Sequence, residues 1–433
     1  MVDEERFDAI VVGAGPAGVS AALTMARAGL EVVLLERGSF AGAKNVMGGI
    51  LYSQPTAEIV PEFWEQAPLE RPIIEQRYLL LTDDSHIGLT YRTQAFAGAP
   101  YNSFSVMRAD WDRWFAEQAE AEGVFLIPEM VVTDLLWRGG RVVGVQTAGE
   151  GGELEADVVI IADGANSLLA QKAGMHKEWQ PHEQALVAKE LIRLDEKTID
   201  DRFNVANGHG VAMEIFGAST AYMLGYGFIY TNKDTLSIGT GALLSDLMES
   251  GLNVSDMLNR FKEHPSIAPL IAGGEMVEYS AHLIPEGGWH SLPTLYIDGA
   301  LVCGDAAMMV NAMNREGSNF AMISGKLAGE TVVRAKERGD FSAATLSWYR
   351  ELLDDSFIMK DLHKVRNVTA FAHERPYLLR DVPETISRTL QTYLRVDGVP
   401  KSDKQKAMLK LVTGAMPRKR TLRDVLAARK ALT

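Results

Sequence analysis

Residues 7–36 read FDAIVVGAGPAGVSAALTMARAGLEVVLLE, and this stretch decides the fold. Phe7 to Val12 is a short apolar, β-branched run of the kind buried on both faces of a parallel sheet. Ala17 to Ala28, rich in Ala and Leu, reads as a helix stopped by Gly29, and Glu31 to Leu35 reads as a second strand ending at Glu36. Gly13, Gly15 and Gly18 lie in GxGxxG spacing between strand and helix. The first permits a tight turn, the second lets backbone approach a pyrophosphate, and the third lets helix and strand pack closely. Pro16 and Ala17 open the helix, whose free N–H groups can receive phosphate charge. Glu36 follows Gly15 by 21 residues, where an acidic side chain can accept from ribose hydroxyls. The fingerprint marks a dinucleotide site without choosing between NAD and FAD; its place at the head of a long chain favours FAD.

Two later segments repeat the pattern of an apolar strand ending in glycine and acid. LEADVVIIADGANS (154–167) has a strand core at Val158 to Ile161 and ends in Asp163-Gly164. Such strand ends are where ligands approach an open α/β sheet; the alternative is a turn in which Asp163 caps the next helix through its side chain. LYIDGALVCGD (295–305) ends in Gly304-Asp305 and is followed by a helix read over Gly317 to Arg334. Ala321, Ser324, Gly325 and Ala328 are small enough for that helix to approach another element closely, and its start near Gly317, Ser318 and Asn319 could aim amides at an electron-rich ring edge. Between these segments, from about Gln180 to Ile284, the stretches Ala221–Thr231 and Thr235–Gly241 read as strands of a mixed or mostly antiparallel sheet. The rings of Tyr226, Phe228 and Tyr230 fall on one face. The expected organisation is a discontinuous nucleotide domain (1–75, 105–179, 293–340), a substrate or quinone domain (76–104, 180–292) and a mainly helical C-terminal region (341–433).

The 433 residues carry 43 Lys+Arg against 57 Asp+Glu, a formal charge of −14, which argues against nonspecific nucleic-acid binding. Cys303 is the one cysteine, so the chain can form no intrachain disulfide and no thiolate-held iron–sulfur cluster. Redox chemistry must ride on another cofactor. The acidic opening MVDEERF lacks the basic patch of a secretory signal, and the uncharged run Ala9–Ala26 is broken by Gly13, Gly15, Pro16 and Gly18, so neither export nor a spanning helix is expected. The expected location is cytoplasmic, peripheral on the membrane. From Lys401 to Thr433, ten Lys/Arg stand against two Asp/Glu. This basic tail could meet an acidic protein, meet anionic lipid, or be a solvated face.

GAGPAG, MRADWDRWFAEQAEAEG, ADG and CGDAAMM followed by REGSNFAMISGKLAGE, in that order, resemble the flavoprotein superfamily of geranylgeranyl reductases, aromatic monooxygenases of the p-hydroxybenzoate hydroxylase fold and electron-transfer flavoprotein–quinone oxidoreductases. The resemblance covers about the first 340 residues. It implies an α/β (mixed α+β) fold: a discontinuous Rossmann-like FAD-binding domain with an inserted β-sheet domain and a helical C-terminal region. It implies non-covalent FAD, with Gly13, Gly15 and Gly18 at the pyrophosphate, Glu36 at the adenosine ribose, Arg108 at the ribityl and phosphate side, Asp305 near the ribityl chain and Gly317–Asn319 beside the pyrimidine edge. Arg37, Val132, Asp163, Gly164 and Gly304 complete the expected cofactor positions. Arg108 could alternatively form a surface pair with Asp110.

Within the superfamily, NVMGGILY (45–52) and YSAHLIPEGGW (279–289) look closest to FixC-type relatives. Gly48 and Gly49 would let backbone pass beside the isoalloxazine. The larger quinone oxidoreductases add a cysteine-held iron–sulfur module, from which this chain departs. The FixC resemblance implies as partners the alpha and beta subunits of an electron-transfer flavoprotein, a ferredoxin-like iron–sulfur subunit and a quinone, with electron bifurcation in a larger complex. The expected function is electron transfer from electron-transfer flavoprotein to quinone. The alternatives are a geranylgeranyl-type isoprenoid reductase and a non-catalytic FAD-bearing interaction subunit. No catalytic side chain is demanded; His282 and Glu286 could border a proton path, and Met308, Met309, Val310 and Met313 could line an apolar slot or fill a core.

Overall fold

The computed structural model describes residues 6–44, 48–148, 152–311, 313–415 and 418–431. The chain divides into two compact units of three segments each: 1–72, 98–184 and 283–363 in the first, 73–97, 185–282 and 364–433 in the second.

The first unit rests on a sheet whose parallel strands run Phe125–Ile127, Val32–Leu35, Arg6–Val12, Glu153–Ile161 and Ala300–Val302 across its width. The strand that comes first in sequence is therefore central. Ile10, Val11, Val33 and Val159 are wholly buried, as expected where both faces of a parallel sheet are covered. A hairpin of Val132–Arg138 and Arg141–Thr147 extends the sheet antiparallel from the start of Glu153–Ile161. Gly48–Tyr52 pairs antiparallel with Ser103–Met107, which pairs in turn with the opening residues of Leu69–Leu81, Leu69 against Val106 and Pro72 against Phe104.

The helix after the glycine turn runs Pro16–Arg27, with Pro16 in the first turn, where its missing N–H has no helical partner to lose. Ser318–Arg338 continues four residues past the expected Arg334, until Gly339 turns left-handed at φ 64°. The small residues of this helix have a steric cause. A Cβ on Gly325 would lie 2.0 Å from the Ala17 carbonyl oxygen, and one on Gly329 would lie 2.8 Å from that of Ala21. The two helices meet backbone to backbone.

The second unit holds a mixed sheet in the order Glu275–Pro285, Gln184–Arg193, Thr235–Leu243, Gly225–Thr231, Gly210–Gly217 and Leu69–Leu81, with His86–Arg92 paired to the last. Gly210–Gly217 runs parallel to Leu69–Leu81, whereas Gln184–Arg193 with Thr235–Leu243, Thr235–Leu243 with Gly225–Thr231, Gly225–Thr231 with Gly210–Gly217 and Leu69–Leu81 with His86–Arg92 are antiparallel. Ala221 and Tyr222 take left-handed φ of 50° and 64°, so the strand begins at Gly225 and Tyr222 stands apart from the Tyr226–Phe228–Tyr230 face. The opposite face packs Ile215, Ile229 and Ile238 against Phe203, Leu258 and Phe261 of the covering helices.

The C-terminal part is helical, shared between the units: Ala343–Leu346 and Trp348–Asp355 belong to the first, Asp381–Leu394, Lys401–Ala415 and Arg418–Ala431 to the second. Pro383 does not interrupt its helix, because it sits in the first turn of Asp381–Leu394. Lys404, one of the basic-tail residues, is 4% exposed; its Nζ pairs with Asp397 at 2.7 Å and donates to the Arg395 carbonyl. No helix among the described residues is long and apolar enough to cross a membrane.

Gly325→Val should force the two helices apart at a cost of about 2–3 kcal/mol, lowering the melting temperature by roughly 5–10 °C in calorimetry.

Candidate functional site

Strand register assembles the site. Leu35, Val12, Ile161 and Val302 pair as one row across four parallel strands. The hydrogen-bond ladder then continues one residue past the sheet: Glu36 N donates to Ile127 O (3.0 Å), Gly13 N to Leu35 O (2.8 Å), Ala162 N to Val12 O (2.9 Å) and Cys303 N to Ile161 O (3.1 Å). The glycine turn, the 163–164 turn and the 304–305 turn consequently leave the sheet at a single carboxyl edge, where open α/β sheets receive ligands.

The three glycines do different things. Gly13 has φ 103°, and a Cβ there would lie 2.4 Å from the Ala162 carbonyl oxygen. A Cβ on Gly18 would lie 1.9 Å from the Gly13 carbonyl oxygen. Around Gly15 a Cβ would meet nothing within 4 Å, and Gly15 is the N-cap of Pro16–Arg27 with no side chain on the helix start. Gly13 and Gly18 serve the fold, whereas Gly15 leaves space beside unpaired helix amides, a ready anion site.

Glu36 reaches back to this turn: its Oε2 accepts from Ala14 N at 2.9 Å and its Oε1 from Gly38 N at 2.7 Å. Each oxygen keeps a further lone pair for a hydroxyl. Arg37 is exposed; Val132 is half-buried, beyond Met130, whose N donates to Glu36 O at 2.8 Å.

Arg108 opens the helix Arg108–Ala121 and forks onto buried Asp112, at 2.8 and 3.0 Å, rather than onto Asp110. It also faces Asp305: burial raises the Asp305 carboxyl above its ordinary pKa while Arg108 pulls it back. Gly304, at φ 67°, would carry a Cβ 2.7 Å from that of Ala17, and its N donates to Ser324 Oγ at 3.0 Å. Gly48 and Gly49 pair with Met107 and Val106, next to Arg108, and a Cβ on Gly49 would meet nothing within 4 Å.

Asp163 takes the helix-capping role, one of the two expected of it. Oδ2 accepts from Leu169 N at 3.0 Å, capping the next helix, while Oδ1 is buried without a hydrogen bond, and burial raises the carboxyl's pKa. Gly164 turns left-handed at φ 80°. Gly317 is the N-cap of Ser318–Arg338, and Asn319, 5% exposed, buries Oδ1 without a partner. Ser167 and His176 escaped sequence reading, since neither breaks a periodic pattern. Ser167 Oγ donates to Ala306 O at 2.8 Å, and His176 Nε2 lies 2.9 Å from that hydroxyl, tying the 163–167 turn to the 304–307 turn. Met308 and Met309 are fully buried in core, whereas Met313 is half exposed.

Residues 8–211 match the FAD dependent oxidoreductase family, and residues 368–433 match the ETF-QO/FixC family C-terminal domain. Protein FixC of Bradyrhizobium diazoefficiens is 47% identical over 410 residues, 94% of each chain. The chain belongs to the ETF-QO/FixC family. The probable electron transfer flavoprotein-quinone oxidoreductase YdiS of Escherichia coli is 40% identical over 94% of this chain and 95% of its own. A geranylgeranyl bacteriochlorophyll reductase-like protein of Thermoplasma acidophilum shares the fold at a TM-score of 0.74 and 18% identity, covering 96% of this chain and 97% of its own. The flavin-dependent brominase Bmp2 does so at 0.66 and 16%, covering 98% and 99%. This is the expected superfamily, and the chain is an FAD-dependent oxidoreductase. The donor set suits that cofactor: open amides and space at Gly15 for phosphate, Glu36 for hydroxyls, and an unpartnered acceptor at Asn319 Oδ1 for a ring N–H.

Gly15→Ala should leave apoprotein stability within about 0.5 kcal/mol yet weaken FAD binding about tenfold by fluorescence titration, whereas Gly13→Ala should destabilise the fold itself. Half-buried Glu286 yields a pH test. Burial pushes its carboxyl from 4.5 to about 7. The folded state holds this proton more tightly than the unfolded one, so the stabilisation is complete below pH 4.5 and is lost as pH rises through 7. In denaturant titrations Glu286→Gln should gain up to about 3 kcal/mol relative to the parent at pH 8 and nothing at pH 4.

Proposed function

We propose that this chain accepts electrons from a reduced electron-transfer flavoprotein and delivers them to a quinone through bound FAD. The observation that carries this reading is the 47% identity to Protein FixC over 94% of the chain together with the ETF-QO/FixC C-terminal match. FAD supplies an acceptor that takes up two electrons and can release them singly.

The residues of this chain bind and orient. The amides opening Pro16–Arg27 hold the pyrophosphate, with Gly15 providing clearance, and Glu36 takes the adenosine ribose while bracing the turn through Ala14. Arg108, kept in place by Asp112, balances Asp305 on the ribityl side. Gly317, Ser318 and Asn319 present helix amides and one amide oxygen to the pyrimidine edge, and Gly48 and Gly49 leave room beside the ring. Asp163 and Gly164 complete the edge, with Val132 and Arg37 on the adenosine side.

The chain acts as a FixC-type subunit of a larger, electron-bifurcating complex, alongside the alpha and beta subunits of the electron-transfer flavoprotein and a ferredoxin-like subunit that carries the iron–sulfur cluster. The C-terminal region supports docking at a charged surface: Leu409 and Leu422 are exposed on helices of the basic tail, and Leu394 and Val396 are exposed just before it. Apolar contact combined with positive charge suits the cytoplasmic face of an anionic membrane.

Mixed anaerobically with reduced electron-transfer flavoprotein, the FAD-loaded protein should lose its visible flavin bands and recover them on addition of a short-chain quinone. A flavin that neither donor nor quinone alters would overturn this reading and leave the isoprenoid-reductase and interaction-subunit alternatives.

A further inference from the structure

The three oxygens that meet the His176 ring all stand as acceptors. Nδ1 lies 2.5 Å from the Lys177 carbonyl oxygen, and Nε2 lies 3.0 Å from the Ser167 carbonyl oxygen and 2.9 Å from Ser167 Oγ. A carbonyl oxygen can only accept, and the Ser167 hydroxyl has committed its one proton to Ala306 O at 2.8 Å, so it too offers the ring a lone pair. Both ring nitrogens are therefore set as donors, which the imidazolium alone supplies. A neutral ring would point one nitrogen lone pair at oxygen. Trp179 stacks on the ring with centroids 3.8 Å apart and planes 9° apart, an arrangement that favours a cation.

Backbone holds this arrangement from both sides. Ser167, at φ 47°, is the N-cap of Leu168–Lys172; its N donates to Gly164 O at 2.9 Å and its O accepts from Gln171 N at 3.0 Å. Met175 O accepts from Thr294 N at 2.8 Å, which fixes the chain just before the ring. The charged groups around His176 are Asp163, whose Oδ2 caps Leu168–Lys172, Lys172, whose Nζ donates to the Thr133 carbonyl at 2.5 Å, and the exposed neighbours Lys177 and Glu178. On the 304–307 turn the charge is Asp305, which faces Arg108.

We propose that His176 is a positioning residue that acts through Ser167: as an imidazolium it keeps the Ser167 hydroxyl proton on Ala306 O and so holds the 304–307 turn, with Asp305, in its FAD-binding place. This rests on the assignment of Gly304 and Asp305 to the cofactor edge. Loss of the proton breaks the N–H bond at Nε2 and passes the proton to water. The bare nitrogen then accepts, the Ser167 hydroxyl rotates towards it and away from Ala306 O, and Nδ1–H keeps its bond to Lys177. A hydrogen bond between two turns is exchanged for one on the 167–176 side alone, so the tie across the cofactor edge is lost.

FAD affinity of the full chain, followed by flavin fluorescence from about pH 5 to about pH 9, reads the tie. The parent should bind FAD about tenfold more weakly at the upper end, the worth of one hydrogen bond. His176→Gln and Ser167→Ala should each lose that change. Long-range proton–nitrogen NMR spectra of the histidine rings, assigned by the signal missing in His176→Gln, supply the second readout. Because coupling is reciprocal, bound FAD should keep both His176 nitrogens protonated to higher pH in the parent and leave the ring of Ser167→Ala unmoved, a split that a merely structural contact would not produce. Should His176→Gln not fold, Ser167→Ala carries the comparison. A ring that is neutral throughout, a parent affinity that stays level, or the same tenfold change in Ser167→Ala overturns the proposal. A parent that takes up no FAD overturns the cofactor assignment and this coupling with it, while ring spectra of the FAD-free chain still report whether His176 is an imidazolium.

Discussion

Everything at the candidate cofactor edge depends on the hydrogen-bond ladder that outlasts the sheet. Parallel strands offer evenly spaced, slanted bonds, so strands kept in register end together and the next residues of each remain tied to a neighbour. Glu36, Gly13, Ala162 and Cys303 each donate to the strand beside them. Slippage by one residue would reverse the alternation of buried side chains and would also scatter the three turns that meet there.

Glycine chemistry follows from the same constraint. With Ala162 O and Gly13 O fixed by the ladder, there is no volume for a Cβ at Gly13 or Gly18. Close contact between Pro16–Arg27 and Ser318–Arg338 extends the limitation to Gly325 and Gly329. The cofactor edge is therefore backed by two helices whose separation is set by backbone, leaving little freedom to drift. Rigid placement matters for a redox cofactor, because the protein's task is to orient the ring and tune its electrostatics rather than to supply a nucleophile.

Charge is placed with equal economy. Arg108 is satisfied by Asp112 and so offers Asp305 a fixed positive neighbour. Glu36 spends one hydrogen bond on each of two loops. Asp163 and Asn319 each keep one buried oxygen without a hydrogen bond, an arrangement whose cost, about 1–3 kcal/mol per group, is recovered when a donor arrives.

The GxGxxG turn, the strand ends at Asp163 and Asp305 and the small-residue helix were legible in sequence because each has a local cause: a glycine needed where no Cβ fits, an apolar run of strand length, a stripe of small side chains. That local pattern determined a parallel nucleotide-binding sheet and the acids and glycines at its edge. Tertiary structure alone decided what those residues touch. Asp112 rather than Asp110 answers Arg108, because four residues rather than two bring helix side chains onto one face. Ser167 and His176 acquire meaning only when separate segments pack together, and Lys404 becomes an internal tie because the chain folds Asp397 and Arg395 over it. Local sterics are written residue by residue, whereas pairing and burial depend on which distant segments share a surface, and periodicity carries no record of that.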